Sequence, residues 1–114
     1  MKVRALKPMS PAQLEGAAGL FTALSEPSRL ALLQALHNGP LAVHQLMKVC
    51  VMRQANVSKH LGVLHQYRLV ERKRDGASIR YQIADPMVFA LCELVCGKME
   101  RDAKCAAALF APEI

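Results

Sequence analysis

The sequence predicts a mainly α-helical fold with one small β-hairpin, in the order α-α-α-α-β-β-α. Apolar residues recur at helical spacing through most of the chain, and after Tyr67 the pattern changes to the alternation typical of strands. The length of 114 residues is that of one domain, and an apolar content of 53% is sufficient for one core. We therefore expect residues 1–114 to form a single domain, with residues 1–9 as a basic N-terminal arm.

Two helices are expected first, and local signals mark their ends. Ser10 and Pro11 are an N-cap followed by proline at the first helical position, and apolar residues repeat at helical spacing over residues 11–24. Ser25 is expected to cap a second helix. That helix ends at residues 37–40, because their glycine can adopt a left-handed conformation and their proline cannot continue a helix.

A helix-turn-helix is predicted next, over residues 41–67. The third helix of the chain begins at residue 41, and a turn at residues 49–53 leads into the fourth helix. The alternating segments that follow predict two strands, which form a β-wing over residues 69–83. The pair Asp75-Gly76 lies between the strands and is favoured in hairpin turns.

A last helix is predicted over residues 86–110. It begins at Asp85-Pro86, which repeats the cap-plus-proline signal seen at the first helix. The chain contains no uninterrupted apolar run of about 18 residues, and its N-terminus lacks the apolar stretch of a secretion signal. We therefore expect a cytoplasmic protein that makes no membrane contact.

Positive charge is concentrated between residues 53 and 80. The whole chain has a formal net charge of +6. This segment contains seven basic side chains against only Glu71 and Asp75, and so carries +5 of that total. A basic stripe of this kind is typical of proteins that contact phosphates. The basic residues of the wing, expected to reach DNA phosphates or the minor groove, are Arg72, Lys73, Arg74 and Arg80.

The fourth helix has two faces of different chemistry. Val57, Leu61 and Leu64 fall on one side, and small or polar side chains occupy the other. Such a helix can enter the major groove, where Asn and Gln bond adenine and Lys bonds guanine or phosphate. The expected DNA-reading residues are Gln54, Asn56, Ser58 and Lys59. His60 lies at the edge of the apolar face, where packing or a phosphate contact is expected.

Four segments together are typical of one protein family. They are LSEPSRLALL at residues 24–33, NVSKHLGVL at 56–64, LVER at 69–72, and RDG at 74–76 with IRYQI at 79–83. With these segments the chain, over about residues 11–95, resembles the ArsR/SmtB family of winged helix-turn-helix repressors. The resemblance implies a homodimer joined through its first and last helices. It also implies binding to double-stranded operator DNA and release by a metal, metalloid or sulfur species.

The cysteines are the candidates for sensing such an inducer. The family's arsenic and cadmium site uses Cys-Val-Cys at the start of the third helix, and its zinc site uses Asp, His and Glu of the last helix. Neither set is present here. Cys92 and Cys96 are four residues apart on the last helix, so their β-carbons lie about 5–6 Å apart on one face. This spacing suits a bridging soft ion better than a disulfide.

The expected inducer is therefore arsenite or a related soft metal or metalloid ion, and no permanently bound cofactor is expected. Cys105 and Cys50 are further candidate ligands. Cys105 follows Cys96 by nine residues, which puts it on the opposite side of a continuous helix. A third thiol from one chain would therefore require a helix break or Cys50; otherwise the partner subunit must supply it.

Several alternatives stay open from the residues alone. Cys92 and Cys96 belong to an apolar stripe, where cysteine packs as a small hydrophobic residue. A disulfide or polysulfide between Cys50 and a last-helix cysteine would give a repressor that responds to redox state or reactive sulfur. The same fold can also serve as a DNA-binding or interaction module without an inducer. An enzyme is not expected, because the chain has neither Cys-x-x-Cys nor a phosphate loop.

Overall fold

The computed structural model of the protein describes residues 7–109. The chain divides into two compact units, one ending at Ala84 and one beginning at Asp85. Residues 1–6 of the expected basic arm and residue 110 of the expected last helix lie outside the described residues. Among the described helices, none combines the length and the apolar character needed to cross a membrane.

The predicted helices are all present. They are α1 Pro11–Leu24, α2 Pro27–Ala35, α3 Val43–Cys50, α4 Gln54–Gln66 and α5 Met87–Leu109, with a short 3-10 helix at Leu36–Asn38 after α2. The start of α1 is capped as predicted. The Gln13 N–H donates to the Ser10 hydroxyl oxygen at 3.2 Å, and the Ser10 N–H donates to the Gln13 side-chain oxygen at 2.8 Å. Two otherwise unpaired backbone donors are thereby satisfied.

The cap of α2 differs from the prediction. Ser25 ends α1, where its hydroxyl donates to the Thr22 carbonyl at 2.7 Å. Glu26 is the N-cap of α2, and its Oε2 accepts from the backbone N–H groups of Ser28 at 2.8 Å and Arg29 at 3.3 Å. Serine ranks above glutamate in cap preference, which misplaced the boundary by one residue. A carboxylate can accept two N–H groups at once, and Glu26 uses that capacity here.

The sheet has three strands, one more than predicted. They are β1 Leu41–Ala42, β2 Val70–Asp75 and β3 Ser78–Ile83, all antiparallel in the order β1-β3-β2. Because residues 41 and 42 pair with β3, α3 begins two residues later than expected. The pairing of Asp75 with Ser78 leaves Gly76 and Ala77 as the loop. Gly76 has a φ of 63°, the positive value that a two-residue hairpin needs at its first position.

The core of the first unit is built by α2, α3, α4 and the start of β2. Its fully buried large side chains are Leu32, Leu33, Leu36, Leu46, Val57, Leu61, Leu64 and Val70. The apolar face predicted for α1 is only partly used, because Leu24 is buried whereas Leu14 and Phe21 are 55% and 61% exposed. In the second unit, α5 exposes Leu94, Val95 and Met99. Both helices thus present apolar side chains that one chain does not cover.

Candidate nucleic-acid interface

The two faces predicted for α4 are present. Val57, Leu61 and Leu64 are completely buried, which fixes the helix against α2 and α3. On the other side the small and polar side chains are exposed: Gln54, Ala55, Asn56, Ser58, Lys59 and Gly62. The surface of α4 therefore combines amide, hydroxyl and ammonium groups with two positions that lack bulk. This is the chemistry that a helix needs for hydrogen bonds to base edges.

His60 does not belong to that exposed face. Its side chain is buried, and its Nδ1 lies 3.2 Å from Nη1 of Arg29. Its Nε2 lies 3.8 Å from Oε2 of Glu26. Both partners come from α2 and its cap, so the ring is directed into the protein. Of the two roles expected from the sequence, packing or a phosphate contact, these internal partners and the burial of the ring favour packing.

Glu26 and Arg29 are residues that the sequence analysis did not single out. Partial burial raises the pKa of Glu26, but two backbone N–H groups, His60 and Arg29 outweigh that effect, so the pKa lies below its ordinary value. The carboxylate is thus charged at neutral pH. A glutamate just before Pro-Ser-Arg could have been read as a helix cap, but nothing in the sequence pattern pairs it with a histidine 34 residues later.

The basic residues of the wing are divided between its two faces. Directly opposed residues in an antiparallel pair share a face. Arg72 therefore lies with Tyr81, and Arg74 with Ile79, whereas Lys73 lies with Arg80. Both acidic residues of the wing, at positions 71 and 75, fall on the face of Lys73 by the same alternation. One face thus carries two arginines and no acid, and the other is neutral overall.

The neutral face also contains the polar pairs of the wing. Arg80 Nε lies 3.6 Å from Asp75 Oδ2, with both side chains largely exposed. The Gln82 amide donates to the Glu71 carboxylate on the same face. Exposed ion pairs contribute little to stability, but they lower the positive potential that a phosphate would meet. Arg72 and Arg74 are therefore the stronger candidates for phosphate contact.

The beginning of α4 and the tip of the wing border the same groove. An open cavity of about 290 Å³ is lined by Gln54, by Ser78 and Ile79 of β3, and by His44 and Met47 of α3. Gln54 therefore lies on the side of the molecule to which the wing extends. A single ligand long enough to span this groove can contact both elements.

Cys50 has the properties of a packed thiol. It is half-buried at the end of α3, and its Sγ donates to the Ala31 carbonyl at 3.6 Å. Burial raises the pKa of Cys50, so the thiol is protonated at neutral pH. A protonated thiol is a poor nucleophile and a poor metal ligand, since both roles require the thiolate. These properties argue against the redox alternative that uses Cys50.

The other three cysteines all lie on α5. Cys92 is half-buried, and Cys96 and Cys105 are exposed. Since α5 is one continuous helix from Met87 to Leu109, Cys105 lies about half a turn around the axis from Cys96 and about 14 Å along it. Within residues 7–109, no group of three or more His, Cys, Asp and Glu side chains could hold a metal ion. The described part of one chain therefore offers two neighbouring thiols, Cys92 and Cys96, as metal ligands, rather than a set of three or more ligands.

Comparisons with known proteins point to one protein family. A model of the bacterial regulatory protein arsR family matches residues 26–72. The chain is similar to a transcriptional repressor SmtB homolog of Synechocystis sp., with 35% identity over 101 residues that cover 87% of this chain and 76% of the relative.

Solved structures give the same result. The AntR antimony-specific transcriptional repressor superposes with a TM-score of 0.74 and 30% identity, covering 90% of this chain and 93% of that one. A homodimeric winged helix-turn-helix DNA-binding domain from Mycobacterium bovis superposes with a TM-score of 0.70 and 29% identity. The match covers 82% of this chain and 92% of that one. These relatives are transcriptional regulators and not enzymes. The chain belongs to the ArsR/SmtB family of winged helix-turn-helix, DNA-binding transcriptional repressors.

Proposed function

We propose that this protein represses transcription as a homodimer that reads an operator with α4, grips the flanking phosphates with its wing, and is released when a thiophilic ion binds Cys92 and Cys96. The observation that carries the DNA-binding part is the exposed polar face of α4, held by a fully buried apolar face and bordered by a basic wing. The ion-binding part rests on the spacing of the two thiols.

Each DNA-contacting residue has a role that follows from its chemistry. Gln54 and Asn56 present amides that can bond adenine through two hydrogen bonds, and Lys59 bonds guanine or phosphate. Ser58 is short enough for its hydroxyl to bond a base or a phosphate at close approach. In the wing, Arg72 and Arg74 contact phosphates from the face without acids. Lys73 and Arg80 contribute less, because Glu71 and Asp75 share their face.

The homodimer is supported by two observations. The Mycobacterium bovis relative is described as homodimeric, and it covers 82% of this chain. The helices α1 and α5 each expose large apolar side chains, including Phe21 at 61% and Met99 at 64%. Burial of such side chains against a second copy removes apolar surface from water. Two copies also place two reading helices on one duplex, which doubles the number of base contacts.

The nature of the inducer follows from sulfur chemistry. Cys92 and Cys96 lie one turn apart, so their thiolates can bind one soft ion without bending the helix. An ion that requires three ligands would take the third from the partner subunit. AntR, which is 30% identical, is by its description specific for antimony, the element below arsenic. Arsenite and antimonite are therefore the first inducers to test.

The DNA-binding proposal is tested by selecting duplexes from a random-sequence pool with the wild-type protein and measuring their affinity. Asn56→Ala should relax the preference at one base pair, at a cost of about 1–3 kcal/mol. Lys59→Ala should weaken binding and flatten its dependence on salt. Lys98→Ala is the matched control, because Lys98 lies on α5 and pairs with Asp102. Equal affinities for all four proteins would refute the assignment.

The sensing proposal is tested by titrating the protein–DNA complex with arsenite, antimonite, cadmium, zinc and polysulfide. Cys92→Ser and Cys96→Ser should keep DNA affinity but lose release by the effective ion. Cys50→Ser serves as the control that still responds. Normal release from both of the first two variants would disprove sensing by this pair, and loss of release in Cys50→Ser together with one last-helix variant would favour the redox alternative.

A further inference from the structure

The side chain of Arg29 connects α1 with α4. Its Nε donates to the Ala23 carbonyl at 2.6 Å, and its Nη2 donates to the Thr22 carbonyl at 3.2 Å. Both acceptors lie in the last turn of α1, where carbonyls have no partner within the helix. The remaining nitrogen, Nη1, lies 3.2 Å from Nδ1 of His60 on α4. One guanidinium group of α2 therefore holds the end of one helix and the buried side of another.

The orientation of the His60 ring is fixed by this contact. A guanidinium group has donors only, so Nδ1 of His60 must accept, and the proton of the neutral ring then lies on Nε2. Nε2 lies 3.8 Å from Glu26 Oε2, which is longer than a hydrogen bond. Glu26 in turn accepts from the backbone N–H of Arg29. Arg29 thus contacts both of the other residues, through its backbone N–H to Glu26 and through its side chain to His60.

This contact differs in kind from the rest of the packing around α4. Among the described residues, His60 is the one polar side chain in the buried class, and the other buried residues of α4 are Val57, Leu61 and Leu64. The hydrophobic effect is not directional, so apolar burial specifies the rotation of a helix about its axis less sharply than a directional bond does. A hydrogen bond depends steeply on angle, so the bond from Arg29 to His60 resists such a rotation.

We infer that Arg29 and His60 are positioning residues for DNA reading, which set the rotation of α4 about its axis and thereby aim its exposed side chains at the base edges. Asn56 lies one turn before His60, and Lys59 is its direct neighbour, so a rotation of α4 moves both. Neither positioning residue contacts DNA itself. The inference rests on the DNA-reading face proposed above.

The test uses two substitutions at one position. His60→Leu keeps bulk but removes the acceptor for Arg29. His60→Asn supplies an amide oxygen near the place of Nδ1, and so can accept the same hydrogen bond. Affinity is measured for the tightest duplex that wild-type protein recovers from a random pool, and for a shuffled duplex of the same composition. Urea unfolding of each variant establishes that the measured protein is folded.

We expect His60→Leu to reduce the ratio of the two affinities about tenfold, since loss of one well-placed base contact has that size. Its affinity for the shuffled duplex and the salt dependence of that affinity should not change, because no phosphate contact is lost. His60→Asn should keep most of the wild-type ratio, because its amide oxygen can accept the hydrogen bond from Arg29. Arg29→Lys should lose the ratio as His60→Leu does, because a compact ammonium group lacks the planar fork of donors that reaches the three separate acceptors.

Distinct results would overturn the inference. If folded His60→Leu keeps the wild-type ratio to within twofold, the contact does not aim the helix. If it loses affinity for both duplexes equally, or if His60→Asn recovers nothing, His60 has only a general structural role. If His60→Leu does not fold, the ratio of the two affinities is compared between Arg29→Lys and wild type instead, and an unchanged ratio overturns the inference. If wild-type protein itself does not prefer the recovered duplex, the proposed function fails instead.

Discussion

At the scale of single residues, Val51 has a backbone conformation that its side chain opposes. It lies in the turn between α3 and α4 with φ 52° and ψ 59°, and it is 88% exposed. A β-branched residue in the left-handed region is strained by about 1–2 kcal/mol, whereas glycine is not. We expect Val51→Gly to raise the free energy of unfolding by about 1 kcal/mol, after the greater entropy of unfolded glycine is subtracted. Urea denaturation measures the change.

Val49 is a matched control for that substitution. It is also an exposed valine, at 62%, but it lies in the last turn of α3 with helical geometry. Val49→Gly should lower stability by about 0.3–0.5 kcal/mol, because glycine ranks below valine in helix propensity. If Val51→Gly destabilises the protein as much as Val49→Gly, the left-handed turn does not strain the chain.

The wing offers a second comparison between two residues of the same type. Arg74 lies on the face without acids, and Arg80 is 3.6 Å from Asp75. Arg74→Gln should weaken DNA binding and reduce the slope of log affinity against log salt by about one per subunit. Arg80→Gln should reduce the slope by less, since Asp75 already offsets its charge. Fluorescence anisotropy at several salt concentrations measures both, and equal losses would mean that the two faces contact DNA alike.

At the scale of helices, α1 contains two glycines in different surroundings. A β-carbon at Gly16 would meet nothing within 4 Å, whereas one at Gly19 would lie 3.1 Å from the ring of Tyr67. Gly16→Ala should therefore stabilise the protein by about 0.5–1 kcal/mol through helix propensity alone. Gly19→Ala should gain less or lose stability, because the tyrosine ring must move. Thermal unfolding compares them.

Tyr67→Leu provides the control for that prediction. In this background the ring is absent, and Gly19→Ala should recover the gain seen at Gly16. If Gly19→Ala behaves alike in both backgrounds, the close approach of Tyr67 does not determine the choice of glycine at position 19.

The same scale shows where sequence prediction succeeds and where it fails. The boundaries of α1 and the faces of α4 follow from local signals, namely a cap with proline and a 3.6-residue period. Strand β1 does not, because Leu41 and Ala42 are too few for an alternating pattern and become a strand only through pairing with β3. The partners of His60 were missed for a similar reason. They lie more than 30 residues away, and only tertiary packing brings them together.

At the scale of the whole molecule, the helices α1 and α5 each expose several large apolar side chains, among them Leu14 and Phe21 on α1 and Val95 and Met99 on α5. If a second copy covers them, Val95→Glu places an unpaired charge in that interface, at a cost of several kcal/mol. We expect this variant to sediment as a monomer where wild type is a dimer. Since a monomer contacts one half-site only, its operator affinity should fall by about a hundredfold or more, while its secondary structure by circular dichroism is kept. Val49→Glu, on an exposed residue of α3, should remain dimeric. If Val95→Glu is dimeric, the subunit contact lies elsewhere than on α5. If wild type is a monomer with full operator affinity, DNA binding does not require a dimer.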